Sequence, residues 1–211
     1  MLAREITSEL AQVLQQLTVP VLMLGQHLQG VHSIVHDDYR AGEKLAEYAI
    51  ELGHRSFLFI GVTEKDEAVG ILRKKGFTDV VAQMEGTKLS FIETSFSRSE
   101  TYQKARLFLK ENQATYLACA TDNIAVAVLK AAHELGLRVP EDFSLSGFGG
   151  YDSTDYVFPT ITTTHYPYHQ LGVDAVETIQ KLIQKVQVPE LIKLPNQLVI
   201  KQSTIPIEQI P

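Results

Sequence analysis

The sequence predicts an α/β protein built on parallel sheets, and two observations support this fold class. Short apolar runs alternate with helical patterns along the middle of the chain, and each run stops in polar or small residues before the next helix opens, which is typical of βαβ units. One run ends in the pair Gly149-Gly150, where backbone can approach a ligand that a side chain would block. Because ligands bind outside the carboxyl ends of parallel strands, we expect a binding edge there.

The elements follow in a regular order. A helical pattern at 6–17 precedes strands at 19–24 and 31–35, and either Asp37 or Asp38 can cap the helix that comes next. The middle and the end of the chain then predict strands at 56–61, 89–93, 115–120, 143–147 and 162–165, helices at 67–84, 99–111, 122–135 and 168–186, and weak strands at 190–194 and 197–202.

Composition limits the classes of function. The 211 residues are 45% hydrophobic and 21% charged, as in ordinary globular proteins, and the net charge of -6 disfavours nucleic-acid binding by this chain alone. The single cysteine, Cys119, excludes an intramolecular disulfide framework and fits a reducing compartment. Neither a secretory signal nor a bilayer-length apolar run is visible, so we expect a cytoplasmic protein with no membrane contact.

Catalytic and metal motifs are missing from the sequence. The histidine spacings fit no zinc motif, the loop at 61–66 lacks the glycine-lysine-serine ending of a P-loop, and no Gly-x-Ser-x-Gly elbow is present. We therefore expect no metal, no cofactor and no enzymatic activity.

Several separated motifs together resemble the effector-binding core of lactose-repressor-type transcriptional regulators, and the resemblance covers nearly the whole chain. The form Gly147-Phe-Gly-Gly-Tyr151 is most similar to sucrose-operon repressors, whereas Cys119-Ala-Thr-Asp122 is also similar to trehalose-operon repressors. The other motifs that carry the resemblance are Val35-His-Asp-Asp-Tyr39, Arg73-Lys-Lys-Gly-Phe77, Gly136-Leu-Arg-Val-Pro-Glu-Asp142 and Pro159-Thr-Ile-Thr-Thr163.

The resemblance implies two Rossmann-like subdomains of the periplasmic-binding-protein type, with an effector in the cleft between them. Residues 1–36 and 162–187 are expected to form a partial N-terminal subdomain, and residues 37–161 and 188–211 the C-terminal one. The helix-turn-helix head and two βα units of the family are absent here, so operator DNA is expected to be bound only through that missing head. Strand 19–24 is then expected to be an open edge.

The implied function is a sugar-sensing domain of a transcriptional repressor. The expected effector is a sugar or sugar phosphate that shifts the balance between two subdomain orientations. A homodimer is expected because paired heads read paired half-sites. A periplasmic-type sugar-binding protein and a trehalose-type repressor remain the alternatives.

Four polar residues are candidates for ligand binding. Arg73 presents a fork of donors suited to hydroxyls or phosphate, although a solvated surface arginine is the plain alternative. Asp122 and Asp66 are equally explained as helix N-caps. Thr121 stands where relatives carry a sugar-binding asparagine, and its hydroxyl both donates and accepts.

Three aromatic rings and the glycine pair complete the candidate site. Phe96 matches an aromatic that stacks on the effector in relatives, but a core phenylalanine fits equally well. Tyr151 and Tyr166 offer rings with hydroxyl tips. Gly149 replaces an aspartate of many relatives, so we expect space beside Gly149 and Gly150 for a larger ligand, a water or a phosphate on backbone amides.

Overall fold

The computed structural model describes residues 6–210. Its helices are α1 (Ser8–Gln16), α2 (Asp38–Glu51), α3 (Arg73–Ala82), α4 (Arg98–Phe108), α5 (Asp122–Glu134) and α6 (Tyr168–Ile183). Its strands are β1 (Leu22–Leu24), β2 (His32–His36), β3 (Ser56–Gly61), β4 (Lys88–Glu93), β5 (Tyr116–Cys119), β6 (Ser144–Gly149), β7 (Thr162–His165), β8 (Leu191–Leu194) and β9 (Gln197–Val199). Within the described range, no helix is long and apolar enough to cross a membrane.

The strands form two sheets. A six-stranded sheet has the order β4-β3-β5-β6-β7-β9, parallel except for β9, and a three-stranded parallel sheet has the order β1-β2-β8. We call residues 38–165 and 197–210 the large half, and residues 6–36 and 168–194 the small half. The predicted α/β class with parallel sheets is confirmed.

Two strand assignments from the sequence are wrong. The strand at 162–165, which we expected in the N-terminal sheet, pairs with β6 and β9 in the large sheet, whereas β8, expected in the other half, pairs with β2. Thr162 is fixed in the large half by the tail, since its Oγ1 lies 2.8 Å from that of Thr204. A run of four residues carries no pattern that identifies its sheet, so its partners decide it.

Helices α2 and α3 of the large half pack so closely that their backbones are in contact. A Cβ added at Gly42 would lie 2.2 Å from the carbonyl oxygen of Arg73, and one at Gly76 would lie 2.0 Å from that of Tyr39. Only glycine allows this approach of α2 to α3. The contact brings the first turn of α2, and with it Asp38, beside the start of α3.

The region before α3 departs from the predicted helix at 67–84. It begins as a π-helical turn over Glu67–Leu72 and becomes α-helical only at Arg73. Asp66 caps the turn, because its side chain accepts the Val69 N–H at 2.8 Å.

The chain passes between the two halves at three short connections. Asp37 joins β2 to α2, Tyr166-Pro167 joins β7 to α6, and Pro195-Asn196 joins β8 to β9. Two of them are tied together, since the Asp37 N–H donates to Leu194 O at 3.0 Å and the Asn196 side chain donates to Asp37 O at 2.8 Å.

Candidate functional site

The carboxyl ends of the parallel strands of the large sheet gather the predicted site residues along one edge, next to the connections to the small half. Each candidate follows the end of a strand or opens the helix after it: Asp66 and Arg73 after β3, Phe96 after β4, Thr121 and Asp122 after β5, Gly149, Gly150 and Tyr151 at the end of β6, and Tyr166 after β7.

Arg73 lies inside the molecule and not on its surface. It is 7% exposed, its Nε donates to Asp38 Oδ1 at 2.7 Å, and one terminal nitrogen donates to the carbonyl oxygen of Ala120 at 2.8 Å. Its guanidinium carbon lies 5.0 Å from the ring centre of Tyr166 and 5.5 Å from that of Phe148. The solvated-arginine alternative is therefore wrong, and the guanidinium is an element of the site edge held by one carboxylate and two rings.

Asp38 is the centre of this arrangement. Its Oδ1 also accepts the Tyr166 hydroxyl at 2.8 Å, and the residue is 3% exposed. Burial alone would lower the pKa of Arg73, but interactions with Tyr166 and Asp38 outweigh it and raise the pKa above its ordinary value. Burial raises the pKa of Tyr166 well above its usual range, with Arg73 opposing. The ion pair is thus a charged, desolvated pair with a neutral phenol attached.

Thr121, and not Asp122, is the N-cap of α5, and the Asp122 side chain points to other partners. Thr121 caps α5, since its Oγ1 accepts the Ile124 N–H at 3.3 Å, so the interpretation of Asp122 as the N-cap is wrong. The fully buried Asp122 carboxylate accepts the Thr163 hydroxyl at 2.6 Å and the Tyr151 N–H at 2.8 Å. Burial raises the pKa of Asp122, while Thr163, Tyr151 and the charge of Arg73 act in the opposite direction.

The glycine pair adopts backbone conformations that side chains rarely take, with φ of 140° at Gly149 and 68° at Gly150. The expected space beside them is already filled. A Cβ at Gly149 would lie 3.0 Å from both the Tyr151 ring and Asp122 Oδ2, and one at Gly150 would lie 2.4 Å from the His165 ring. The prediction that Gly149 leaves room was wrong, because Tyr151 folds back over the position.

A group of rings borders the ion pair on the side of the small half. His36, at the end of β2, lies 4.6 Å from Tyr166 and 5.3 Å from Tyr168 between ring centres, and Tyr168 stacks on Tyr151 at 6.2 Å. Burial lowers the pKa of His36, Asp38 raises it and Arg73 lowers it further. Tyr151 is 38% exposed, so part of its side chain is open to solvent.

Three of these residues were missed as site members by the sequence reasoning. His36 and Asp38 stand in the motif Val35-His-Asp-Asp-Tyr39, which served only to support the resemblance and a helix cap. Tyr168 opens α6 with no distinguishing local pattern. The first two carry a signal, since two acidic residues follow a buried strand and only one of them, Asp37, is needed as the cap.

The remaining candidates lie at the far end of the edge. Asp66 is buried and accepts a hydrogen bond from the Gln26 side chain at 3.1 Å, which joins the small half to the large one. Phe96 is half-buried and packs against the large core, as the core alternative predicts. Their contact with a ligand stays a prediction. Among residues 6–210, no group of three His, Cys, Asp or Glu side chains is placed to hold a metal ion.

Comparison with known proteins gives this fold a family. Residues 46–204 match the family described as periplasmic binding protein-like domain. The chain is 34% identical over 190 residues to the sucrose operon repressor of Staphylococcus xylosus, covering 87% of this chain and 57% of that protein. It is 28% identical over 202 residues to the arabinose metabolism transcriptional repressor of Geobacillus stearothermophilus, covering 90% and 55%. The chain therefore spans little more than half the length of these relatives.

Solved structures of LacI family regulators superpose on this chain. A LacI family transcriptional regulator from Enterococcus faecalis V583 with bound ribose superposes with a TM-score of 0.86 at 28% identity, covering 98% of this chain and 77% of that one. A LacI family regulator from Bifidobacterium animalis superposes with a TM-score of 0.88 at 22% identity, covering 98% and 77%, and supports the fold alone.

Proposed function

This chain belongs to the family of periplasmic-binding-protein-like domains, and we propose that it is the sugar-sensing part of a transcriptional repressor. One observation carries the proposal. A buried ion pair, a second buried carboxylate and exposed aromatic surface meet at the carboxyl edge of the large sheet, where the chain passes to the small half. Ligands of open α/β sheets bind at such an edge.

The chemistry of this edge suits a sugar. Carboxylate oxygens accept hydrogen bonds from hydroxyl groups, and the Tyr151 face packs against sugar C–H groups. The printed names of similar proteins support the same class: two are sucrose and arabinose repressors, and one solved regulator holds ribose. We propose sucrose or a related sugar as the effector, with Asp66, Arg73, Phe96, Thr121, Asp122, Gly149, Gly150, Tyr151 and Tyr166 lining the site.

The proposed mechanism is a population shift. Sugar held between the halves favours one of their relative orientations, and only a difference in its affinity for the two orientations moves the balance. In a homodimer, that rotation changes the spacing of paired DNA-binding heads. In this proposal the repressor acts in the cytoplasm, and no step of the mechanism is catalytic.

Calorimetry with sucrose, trehalose, ribose and arabinose tests this function. We expect one of them to bind, and Tyr151→Ala to weaken that binding by about 1 kcal/mol through loss of the ring contact. Tyr156→Ala is the matched control, since Tyr156 is 87% exposed in the following loop and its loss should leave the affinity unchanged.

Binding of none of the four sugars, or equal effects of the two tyrosine variants, would contradict the proposal. Chromatography after incubation with sucrose should recover the sugar intact, and cleavage products would favour an enzyme instead. Sedimentation of the full-length protein at several concentrations tests the homodimer, which a strict monomer would exclude.

The alternative is a periplasmic-type sugar-binding protein, with which the family description is also consistent. A full-length gene that opens with a helix-turn-helix would support the repressor, whereas one that opens with a secretory signal would support this alternative.

A further inference from the structure

We propose that this site selects uncharged sugars and excludes phosphorylated ones. The inference rests on the proposed function, since it names the class of sugar that the same site takes. It is carried by the sign of the buried charges and by the engagement of Arg73 and of the Gly150 amide in hydrogen bonds within the protein.

The buried charges at the edge sum to a negative value. Asp38, Asp66 and Asp122 are 3%, 5% and 0% exposed, so three buried carboxylates accompany one buried guanidinium, that of Arg73. Asp38 neutralises Arg73 directly at 2.7 Å. Asp122 accepts hydrogen bonds from neutral donors, among them the Thr163 hydroxyl and the Tyr151 amide, and the charge of Arg73 acts on it from further away. A dianionic phosphate placed here meets an uncompensated carboxylate.

Several donors that a phosphate could use are already engaged. Arg73 gives its Nε to Asp38 and a terminal nitrogen to Ala120 O. Two amides of this turn are also engaged, because Gly150 N–H donates to Thr163 Oγ1 at 3.2 Å and Tyr151 N–H donates to Asp122. The backbone cradle that resembles an anion site is thus filled by the protein's own carboxylate.

Nearby surface cations are engaged elsewhere. Lys74, the neighbour of Arg73 in sequence, pairs with Glu64 at 2.9 Å on the surface. Arg98 donates to the Asn123 side chain at 2.9 Å. Lys74 is therefore neutralised by an acidic partner, whereas Arg98 keeps its charge and is held by a neutral amide on the surface.

The buried carboxylates favour a neutral polyol over a phosphate. Its hydroxyl hydrogens can bond the carboxylate oxygens, and hydrogen bonds to an ionised acceptor are the stronger kind. A phosphate has no proton to spare for this at neutral pH and is repelled by the same oxygens. Repulsion between buried groups is weakly screened by salt, so the discrimination should persist at high ionic strength.

Calorimetry with sucrose and sucrose 6-phosphate tests the inference at low and high salt. We expect sucrose to bind at least roughly tenfold more tightly, because an unscreened like-charge contact is costly in a low dielectric. Equal or tighter binding of sucrose 6-phosphate would overturn the inference and leave the proposed function intact.

Variants that remove one negative charge test whether the buried carboxylates cause the exclusion of phosphorylated sugars. Asp38→Asn keeps the shape of the side chain and removes one buried negative charge, so its affinity for sucrose 6-phosphate should rise roughly tenfold over the wild type. Asp152→Asn is the matched control, since it makes the same change of charge on an exposed residue. A folded Asp38→Asn protein without this gain, or an equal gain in the control, would overturn the inference. If Asp38→Asn does not fold, Asp122→Asn takes its place with the same two outcomes.

Failure of the proposed function is distinguishable. If no sugar binds, titration with inorganic phosphate while following the Gly150 and Tyr151 amides by NMR still decides whether the edge rejects anions. Unshifted amides in the wild type support the exclusion, and saturable shifts at millimolar phosphate contradict it.

Discussion

The large half packs α2–α5 on six strands and encloses nearly all of the buried core, whereas the small half leaves much of its apolar surface exposed. Its sheet has three strands, and its buried clusters are small, centred on Met23 and Ile34. Several large apolar side chains of its helices face outward, among them Val13, Val173, Val176 and Ile183. The candidate site lies where a well-packed half meets a weakly packed one. We therefore expect the candidate residues of the large half to be held in place, and the opposing residues of the small half to be displaced at a lower cost in free energy.

The largest expected contrast comes from truncating one apolar side chain in each half. Leu117→Ala in the fully buried β5 should cost about 2–5 kcal/mol of unfolding free energy through a cavity in the core. Val176→Ala, at 56% exposure on α6, should change it by less than about 0.5 kcal/mol. Urea denaturation measures both. Similar costs would mean that the α6 face is covered in solution, and the comparison would fail.

Hydrogen exchange compares the two halves through the protection of one strand from each, β1 and β3. β1 has one neighbour, β2, and an open edge, whereas β3 is paired on both sides. In a dilute monomer, the β1 amides should open with a free energy lower by roughly 2 kcal/mol or more than those of residues 57–60. Equal protection in the monomer would contradict this, and protection of β1 that rises with concentration would reveal a neighbouring chain at that edge.

Two helical glycines give opposite expectations in the two halves. Gly76→Ala places a Cβ 2.0 Å from Tyr39 O and should destabilise the protein by about 1–3 kcal/mol through overpacking. Gly172→Ala meets nothing within 4 Å on α6 and should stabilise it by up to about 1 kcal/mol through helix propensity. Thermal denaturation of both variants gives the signs, and a shared sign would show that packing at the two helices is alike.

The smallest expected effect is a pH dependence. Burial lowers the pKa of His54 in the large half and of His36 at the junction, so both bind a proton less readily in the fold than in the unfolded chain, where histidine takes up protons below about pH 6.5. Stability should therefore fall as pH drops from 6.5, by up to about 1.4 kcal/mol per histidine at pH 5.5. Denaturation of His54→Gln and His36→Gln against pH should each show a shallower decline, and an unchanged slope in both would contradict the assignment.

The parts of this structure that sequence predicts are those fixed by local periodicity. The βα alternation from β3 to β6 and the position of site residues at strand ends follow from short apolar runs and the polar residues after them. The sheet membership of β7 and β8 could not be predicted, because four-residue strands are assigned by distant partners such as Thr204 and Val35.

At the candidate site, the contacts of the side chains could not be predicted from local sequence either. Arg73 and Asp122 were identified by type and place, but their partners are distant in sequence. Asp38 lies 35 residues before Arg73, and Thr163 lies 41 residues after Asp122. The filled space beside Gly149 was equally invisible, because it depends on the direction in which the Tyr151 ring turns.

The three connections between the halves limit how this molecule can move. Each contains one or two residues, and two residues span at most about 7 Å even when extended. The connections at Asp37 and at Pro195-Asn196 are hydrogen-bonded to each other, so we expect them to act together as a hinge. We therefore expect the halves to rotate relative to each other without separating. A ligand that binds as proposed would then change the angle between them, and a segment attached to the small half would move by a distance that grows with its length.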